Sequence, residues 1–462
     1  MSADCVLLPG RRHPQAVDLV EAPGSAPPVD AYEVAAALEA SGISDRTAQE
    51  RYGHPDVFSL GKSLLAGLRA EAPAPVRAAL VAGRIDVRQT LQRGLVFVLP
   101  ALLTGAAMGE RTAPAEVILL LVAVAYGWAA SQGVAYAGYA MTGAGSYPEA
   151  RRLMRDLAAL AFLPALIGLG IMAWFDPSIR YVAVVAIGQV AFVLASTVGV
   201  VLQRPGLMLL VLIPGLLVSL PDVLRPELLP KAIVLPVIAV SVLATLVVAL
   251  VLCRDGCRAA RPVTRSVVAD CRLYVGYGAC LALLLTLGLL DGLLVPGGGV
   301  GIGLTLMPLV GGVLVAEWQL ARYRSRAELA LRATTSAEQF AAMVQTALLR
   351  CFGWYLALLL TLILLAVASV DRLDFIAVLR FAATGLLGWS FLAALLLVAH
   401  RLVAPVLLVT GIGVVLAAAR YVVLDPLTAF DLAIGYLAVC GSLAMTLTVL
   451  VWQWLPAVEV HR

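Results

Sequence analysis

Two stretches, "SYPEARRLMRDLAALAFLPAL" at residues 146–166 and "SAEQFAAMVQTALLRCFGWYL" at residues 336–356, share one pattern. Each opens on a serine followed within three residues by a glutamate, which marks a helix start, and each runs straight on into an apolar helix. In the first, Arg151, Arg152 and Arg155 sit directly against the apolar run. A polar start signal merging into an apolar helix is the pattern of a segment entering a bilayer from water. Its recurrence asks whether the whole chain is a tandem repeat.

The flanking sequence supplies the frame. Repeated apolar runs of about 20 residues, each enough as a helix to cross roughly 30 Å of hydrocarbon, fill the chain from residue 93 onward. Of 462 residues, 61% are hydrophobic and 13% charged, and the mean hydropathy is +0.95. That composition excludes a soluble globular chain. The unbroken runs exclude a β-barrel, whose strands alternate polar and apolar residues in segments of about ten.

The pattern predicts an all-α polytopic membrane protein with twelve transmembrane helices. They fall at 93–109, 115–140, 153–174, 179–202, 206–221, 231–253, 273–293, 299–320, 343–369, 374–399, 402–423 and 430–455. Pro100, Pro164, Pro214, Pro236 and Pro308 interrupt several of them, so neighbouring helices or a cavity must accept the freed backbone groups.

Arginine and lysine in short loops set the orientation. With the amino terminus inside, fifteen arginines fall on the inner loops and tail, among them Arg151, Arg204, Arg254, Arg322 and Arg401. Six basic residues fall outside: Arg111, Arg180, Arg225, Lys231, Arg372 and Arg420. The expectation is a multi-pass protein of the cell inner (plasma) membrane with both termini cytoplasmic. The opening stretch, "MSADCVLLPGRRHPQAVDLV", holds no apolar core of signal-peptide length. The seven cysteines form no extracellular disulfide framework, and Cys253 with Cys257 lacks the further ligands that a metal site needs.

Residues 1–29, rich in Pro, Gly and Ala, read as a disordered tail, and 30–88 as a cytoplasmic helical module with its linker. Within the module, Asp30 is an N-cap with Glu33 three residues on, Gly42 and Gly53 are stops, and Asp56 caps a third helix. Three short helices invite a DNA-binding reading. Residues 1–88 hold nine Arg or Lys against eleven Asp or Glu, a balance of −2, and a phosphate backbone rewards the opposite sign; no nucleic-acid partner is expected.

Cutting at the basic stretch of residues 254–272 leaves a first six-helix bundle at 89–253 and a second at 273–456, with a cytoplasmic tail at 457–462. Both halves show one grammar. A basic residue precedes the first helix (Arg93, Arg272), the second helix ends in polar and aromatic residues ("ASQGVAYAGY", "AEWQLARYR"), and a polar loop near Ser146 or Ser336 leads into a long third helix. The turn after the fourth helix is tight and carries one arginine ("LQRPG", "AHRLV"). The offsets are 179 for the first arginines, 185 for Gln132 and Glu317, 190 for the serines and 197 for Arg204 and Arg401. Six helices per half put both halves in the same orientation, so the repeats are parallel.

With this 6+6 division, and the charged long third helix in each half, residues 90–456 resemble the multidrug/oligosaccharidyl-lipid/polysaccharide exporter superfamily. Within it the likeness is greatest to the polysaccharide exporter and lipid-linked glycan flippase branches. The resemblance implies two six-helix bundles facing a central cavity, alternating access, a glycan or lipid-linked glycan substrate, and no cofactor. It also implies that arginines on the first, second, seventh and eighth helices face the substrate headgroup. The matching positions here are Arg93, Arg272, Gln132 and Glu317. The amino-terminal module lies outside that pattern and is a candidate contact for envelope-synthesis proteins.

The residues admit other readings. Arg93 and Arg272 also fit as anchors that snorkel to inner headgroups. Gln132 fits as an interhelical hydrogen-bonding group. Glu317 fits as half of a pair with Arg322. Tyr136 and Tyr139 share a helix face and could stack on sugars, with Tyr126 and Trp128 nearby, or belong to an interfacial aromatic belt. Arg380 reads as a structural partner of Asp374 or Asp371. The helix centres carry few ionisable residues and the chain only two lysines, Lys62 and Lys231, which argues against a strongly anionic diphosphate.

Three functional classes compete: a glycan exporter or flippase, a non-transporting scaffold of an envelope polysaccharide synthesis complex, and a membrane-embedded transferase. A transferase needs a general base, yet His13, His54, His400 and His461 are far apart in sequence and the outer loops are short, so no enzyme is expected. "GHPDVFSLGKS" at 53–63 has no Gly at position 56, where a phosphate-binding loop requires one. A chain with its own ATP-driven motor is thereby excluded.

Overall fold

The computed structural model describes residues 30–71, 87–109, 113–225, 228–254, 265–294, 302–334, 336–370, 374–423 and 428–461. Among these residues every regular element is a helix: sixteen α-helices and two short 3-10 turns. The tail at 1–29, the linker at 72–86, Cys257, Asp371 and Arg372 lie outside the described residues.

The amino-terminal helices, together with residues 326–340, form one compact unit. Helices α1 (Ala31–Ala40), α2 (Asp45–Tyr52) and α3 (Val57–Glu71) share a core of Val34, Leu38, Ile43, Ala48, Val57, Leu60 and Leu65. Their ends are set by side-chain caps. Asp30 accepts the Glu33 N–H at 2.9 Å, Asp56 the Ser59 N–H at 2.6 Å, and Gly53 closes α2 with φ 72°. Gly61 lets α3 touch the α1 backbone: a Cβ there would come within 3.1 Å of the Ala31 carbonyl.

The other unit carries the apolar helices. Helices α4 (Val87–Val98) and α5 (Pro100–Met108) make the first span, broken at Leu99 because Pro100 has no N–H to continue the ladder. There follow α6 (Pro114–Gly143), α7 (Tyr147–Phe175), α8 (Arg180–Val201), α9 (Pro205–Leu224) and α10 (Lys231–Leu252). The second half contains α11 (Arg265–Leu294), α12 (Ile302–Ala333), α13 (Ala337–Ala368), α14 (Phe375–Val398), α15 (Val403–Val423) and α16 (Ala429–Trp454). Eleven spans among the described residues are long and apolar enough to cross a membrane; α12, with 32 residues, completes a set of twelve long helical segments but is not one of those eleven.

The two halves repeat helix for helix. Equivalent helices start at Val87 and Arg265, at Tyr147 and Ala337, and at Lys231 and Ala429, with a separation that widens gradually along the chain. The fourth helix of each half, α8 or α14, is the most buried of its bundle. Both are rich in Gly, Ala and Ser, which let neighbouring backbones approach without hydrogen-bonding debts to lipid. Beside Pro214, which interrupts the helical ladder of α9, the Gly215 N–H donates to Ser241 Oγ of α10 at 2.9 Å, so a backbone donor at the break is satisfied by a neighbouring helix.

Helices α4, α7, α11 and α13 begin six to eight residues before the hydropathy pattern places them. Hydropathy marks where a helix enters hydrocarbon, whereas the polar turns "VRQTLQ" and "RSVVADC" extend the same helices beyond it. Arg93 and Arg272 therefore lie well inside α4 and α11, and neither is at a helix entry. Residues 265–272, the end of the expected linker, are helical and continuous with α11. The turn register also differs by one residue. Gln203 (φ 60°) and Arg401 (φ 64°) hold the left-handed position, and the next N–H reaches back five residues in both turns, Arg204 to Gly199 at 2.8 Å and Leu402 to Leu397 at 3.1 Å. Gln203, not Arg204, is the counterpart of Arg401.

At the arginine-poor end each bundle is tied by an ion pair, with its lysine exposed in the first bundle and with both members buried in the second. In the first, Lys231 Nζ donates to Asp222 Oδ2 at 2.6 Å and to the Ala106 carbonyl at 3.1 Å. In the second, Arg420 forks onto both oxygens of Asp291 at 2.6 and 2.8 Å. Lys231 and Arg420, assigned to outer loops by sequence, are thus parts of the bundle framework.

Candidate functional site at the seam between the bundles

The first half meets the second along α6 and α11, where glycines face side chains of the partner helix. A Cβ on Gly278 would lie 2.7 Å from Gln132 Cγ, and one on Gly133 would lie 2.6 Å from Val275 Cγ2. Alongside, α4 touches α12 at Gly94, where a Cβ would come within 2.8 Å of the Leu314 carbonyl. Trp128 of α6 packs its edge on Phe391 of α14, with centroids 5.3 Å apart.

Polar side chains gather where α4 and α12 approach. Arg93 Nη2 donates to Gln203 Oε1, which also accepts from Gln89 Nε2 at 2.8 Å. Glu317, one turn beyond Leu314, is acted on by the charges of Arg93 and Arg324, and Tyr139 of α6 lies in the field of all three. Two guanidinium groups against one carboxylate leave a formal +1, supplied by both halves of the repeat. Arg93 Nε is buried without a partner among the described residues.

Of the six candidate residues, Arg93, Tyr139 and Glu317 come together here. Tyr136 makes a separate contact, donating to Asp270 Oδ2 at 3.0 Å with its ring stacked on Tyr274 at 4.0 Å. One face of the Tyr136 ring is thereby taken by protein. Gln132 covers Gly278 as a packing group, and Arg272 is exposed and joins neither grouping. The pairing of Glu317 with Arg322 is not made: Arg322 lies over the Trp318 ring at 5.0 Å. Tyr126 donates to the Ala161 carbonyl at 2.6 Å, tying α6 to α7.

Sequence reasoning missed Gln203, Gln89 and Arg324. The left-handed turn in "LQRPG" was the available signal for Gln203, because a tight turn fixes the direction of its side chain. Beside the seam an apolar groove of about 590 Å³ runs between α6, α7 and α11, lined by Val122, Tyr126, Ala130, Leu157, Val275 and Leu283. Its shape and lining suit a hydrocarbon chain.

No family model matches the chain, and no curated protein matches it. Solved structures do. The chain is similar to an outward-facing multidrug resistance MATE family transporter of the MOP superfamily, with TM-score 0.55 and 13% identity over 80% of this chain and 96% of that one. A MATE structure in the bent conformation gives TM-score 0.50 and 12% identity over 83% and 96%. A MATE structure in complex with Br-NRF gives TM-score 0.50 and 13% identity over 83% and 99%. At such identities the likeness is one of fold. Two six-helix repeats in one membrane chain, matched over nearly the full length of each neighbour, make this a MATE-like fold.

Proposed function

We propose that the chain is a membrane transporter, not an enzyme, that moves a polysaccharide or lipid-linked glycan by alternating access of its two six-helix bundles. The observation that carries this reading is the convergence of Arg93, Gln203 and Tyr139 from the first repeat with Glu317 and Arg324 from the second. A charged, hydrogen-bonding patch built by both bundles is what a polar headgroup needs in a low-dielectric path. The net positive charge disfavours cationic cargo and favours polyhydroxylated or weakly anionic groups. The adjoining apolar groove would accommodate a lipid tail. The arginine bias supports a position for the patch at the cytoplasmic face of the inner membrane, with both termini on that side.

A second reading, a scaffold in an envelope polysaccharide synthesis complex, rests on the amino-terminal module. There Tyr32, 73% exposed, packs against Phe58 in a tilted ring pair with centroids 4.6 Å apart, an aromatic pair suited to a protein partner.

The test is the leaflet distribution of lipid-linked glycans in spheroplasts of a deletion strain, read with a membrane-impermeant glycan label. Inner-leaflet accumulation rescued by wild type, but not by Glu317→Gln or Arg93→Ala, is expected. An unchanged distribution with mislocalised synthase would instead establish the scaffold.

A further inference from the structure

Away from the seam, α14 carries an arginine that the transport reading does not use. Arg380, in the second turn of α14, is 7% exposed, and its Nε and Nη2 atoms are sealed from solvent with no hydrogen-bond partner among the described residues. These two nitrogens share one edge of the guanidinium plane and point their N–H bonds in parallel, the fork that grips an oxyanion bidentately. Nη1 lies on the other side, beside Gly292 of α11; a Cβ there would be 3.6 Å from it, with no other described atom within 4 Å.

The described acids nearby are committed elsewhere. Asp291 feels the charge of Arg380, but both its oxygens accept from Arg420, and Oδ1 also accepts the Tyr421 hydroxyl at 2.5 Å. Asp374 caps α14 by accepting the Ile376 N–H at 3.2 Å. Arg380 and Arg420 against Asp291 leave a formal +1 in a buried setting. A guanidinium with an empty fork inside a membrane protein is strongly unfavourable unless something anionic completes it. Arg380 is five residues from the start of α14, roughly 8 Å along the helix axis at about 1.5 Å per residue, a shallow depth that a headgroup phosphate can reach.

We infer that Arg380, braced by the Asp291–Arg420 pair, forms a bidentate site for a phosphate-type oxyanion at the arginine-poor end of the second bundle. The site is separate from the seam and does not depend on the transported substrate. The phosphate can belong to a phospholipid headgroup or be free in solution.

The experiment uses the delipidated full chain in maltoside micelles. Thermal unfolding is followed against inorganic phosphate, with chloride at matched ionic strength as control, and in a second arm against phosphatidylglycerol. Wild type is expected to be stabilised by at least one of the two, and Arg380→Lys, which keeps the charge and loses the fork, to need at least tenfold more of it. A response to phosphatidylglycerol alone assigns the headgroup, and a response to inorganic phosphate assigns a free anion. No response of wild type in either arm, or equal responses of wild type and variant, overturns the site. A wild-type readout stands by itself if the variant does not fold: amide exchange over 288–292 and 376–384 should slow with the effective ligand, and unchanged exchange overturns the site.

Discussion

Arg420 commits all three guanidinium nitrogens inside the protein. Besides its fork on Asp291, Nε donates to the Ala417 carbonyl at 2.8 Å, Nη1 to Leu432 at 2.8 Å and Nη2 to Leu287 at 3.2 Å, while the rings of Tyr421 and Tyr436 lie 4.8 Å from its charge. One side chain thus ties α11, α15 and α16. Removing one member of a buried pair strands the other, at a cost of about 3–5 kcal/mol, whereas replacing both with apolar groups is near neutral. Arg420→Met should therefore lower unfolding stability in detergent by that amount, and the double variant Arg420→Met/Asp291→Leu should recover most of it. If the single variant melts like wild type, the pair is not what ties these helices. Little of this was legible in the sequence, because the partners are far apart along the chain and Arg420 reads as a loop charge. Arg93, Tyr139 and Glu317 stood out in the sequence as polar or aromatic residues within or at the edge of a long apolar run. Their partners Gln203 and Arg324 did not, since a turn glutamine and a helix-end arginine look like ordinary interface residues.

At the scale of elements, glycine contacts and helix ends govern how the pieces fit. Gly94 holds α4 against the α12 backbone, where a Cβ would meet Leu314 Cδ1 at 2.7 Å and its carbonyl at 2.8 Å. Gly94→Ala should cost about 1–3 kcal/mol as overpacking. It should also raise severalfold the maleimide reactivity of a cysteine placed at Val96, which is buried two residues along α4; unchanged labelling and melting would mean that α4 does not touch α12. The carboxy-terminal 3-10 turn, Val458–His461, folds back on the turn between α14 and α15. The His400 and His461 rings are 4.7 Å apart, and Tyr323 lies against both. Each imidazole meets a carbonyl, Leu396 for His400 and Leu455 for His461, both at 2.8 Å. Burial pushes the His400 imidazole down from 6.5 to about 4, with the charges of His461 and Arg324 acting in the same direction, and lowers His461 as well. Undocked histidines bind protons near 6.5, so docking is at full strength above that pH and is lost as pH falls toward 4. Amide protection over 455–461, corrected for intrinsic exchange, should fall across that window, and flat protection would contradict the docking. Sequence showed four scattered histidines, and only the fold brings two of them together. Capping residues were more legible, since Asp30, Gly53 and Asp56 act on their own turns.

For the whole molecule, the repeat is the organising fact. Equivalent helix starts drift apart gradually from the first pair to the last, and each bundle keeps its fourth helix at the centre and an ion pair at its arginine-poor end. Hydropathy and arginine counts were enough to read twelve helices and their division, because both follow from the bilayer acting as solvent. Register was harder: Arg204 and Arg401 match as letters, but backbone geometry aligns Gln203 with Arg401. On the transport reading proposed above, the two similar bundles joined along a glycine-lined seam would rock about it, exposing the seam patch first on one side and then on the other. The most direct measurement is pulsed electron–electron distance spectroscopy on two spin-label pairs across the bundles in lipid nanodiscs. Arg152→Cys with Arg401→Cys reports the arginine-rich end, and Trp174→Cys with Val422→Cys the arginine-poor end. An alternating-access transporter predicts two populations whose distances change in opposite senses at the two ends. A single narrow distance at both ends, unchanged by pH or added glycan lipid, would contradict transport by rocking bundles.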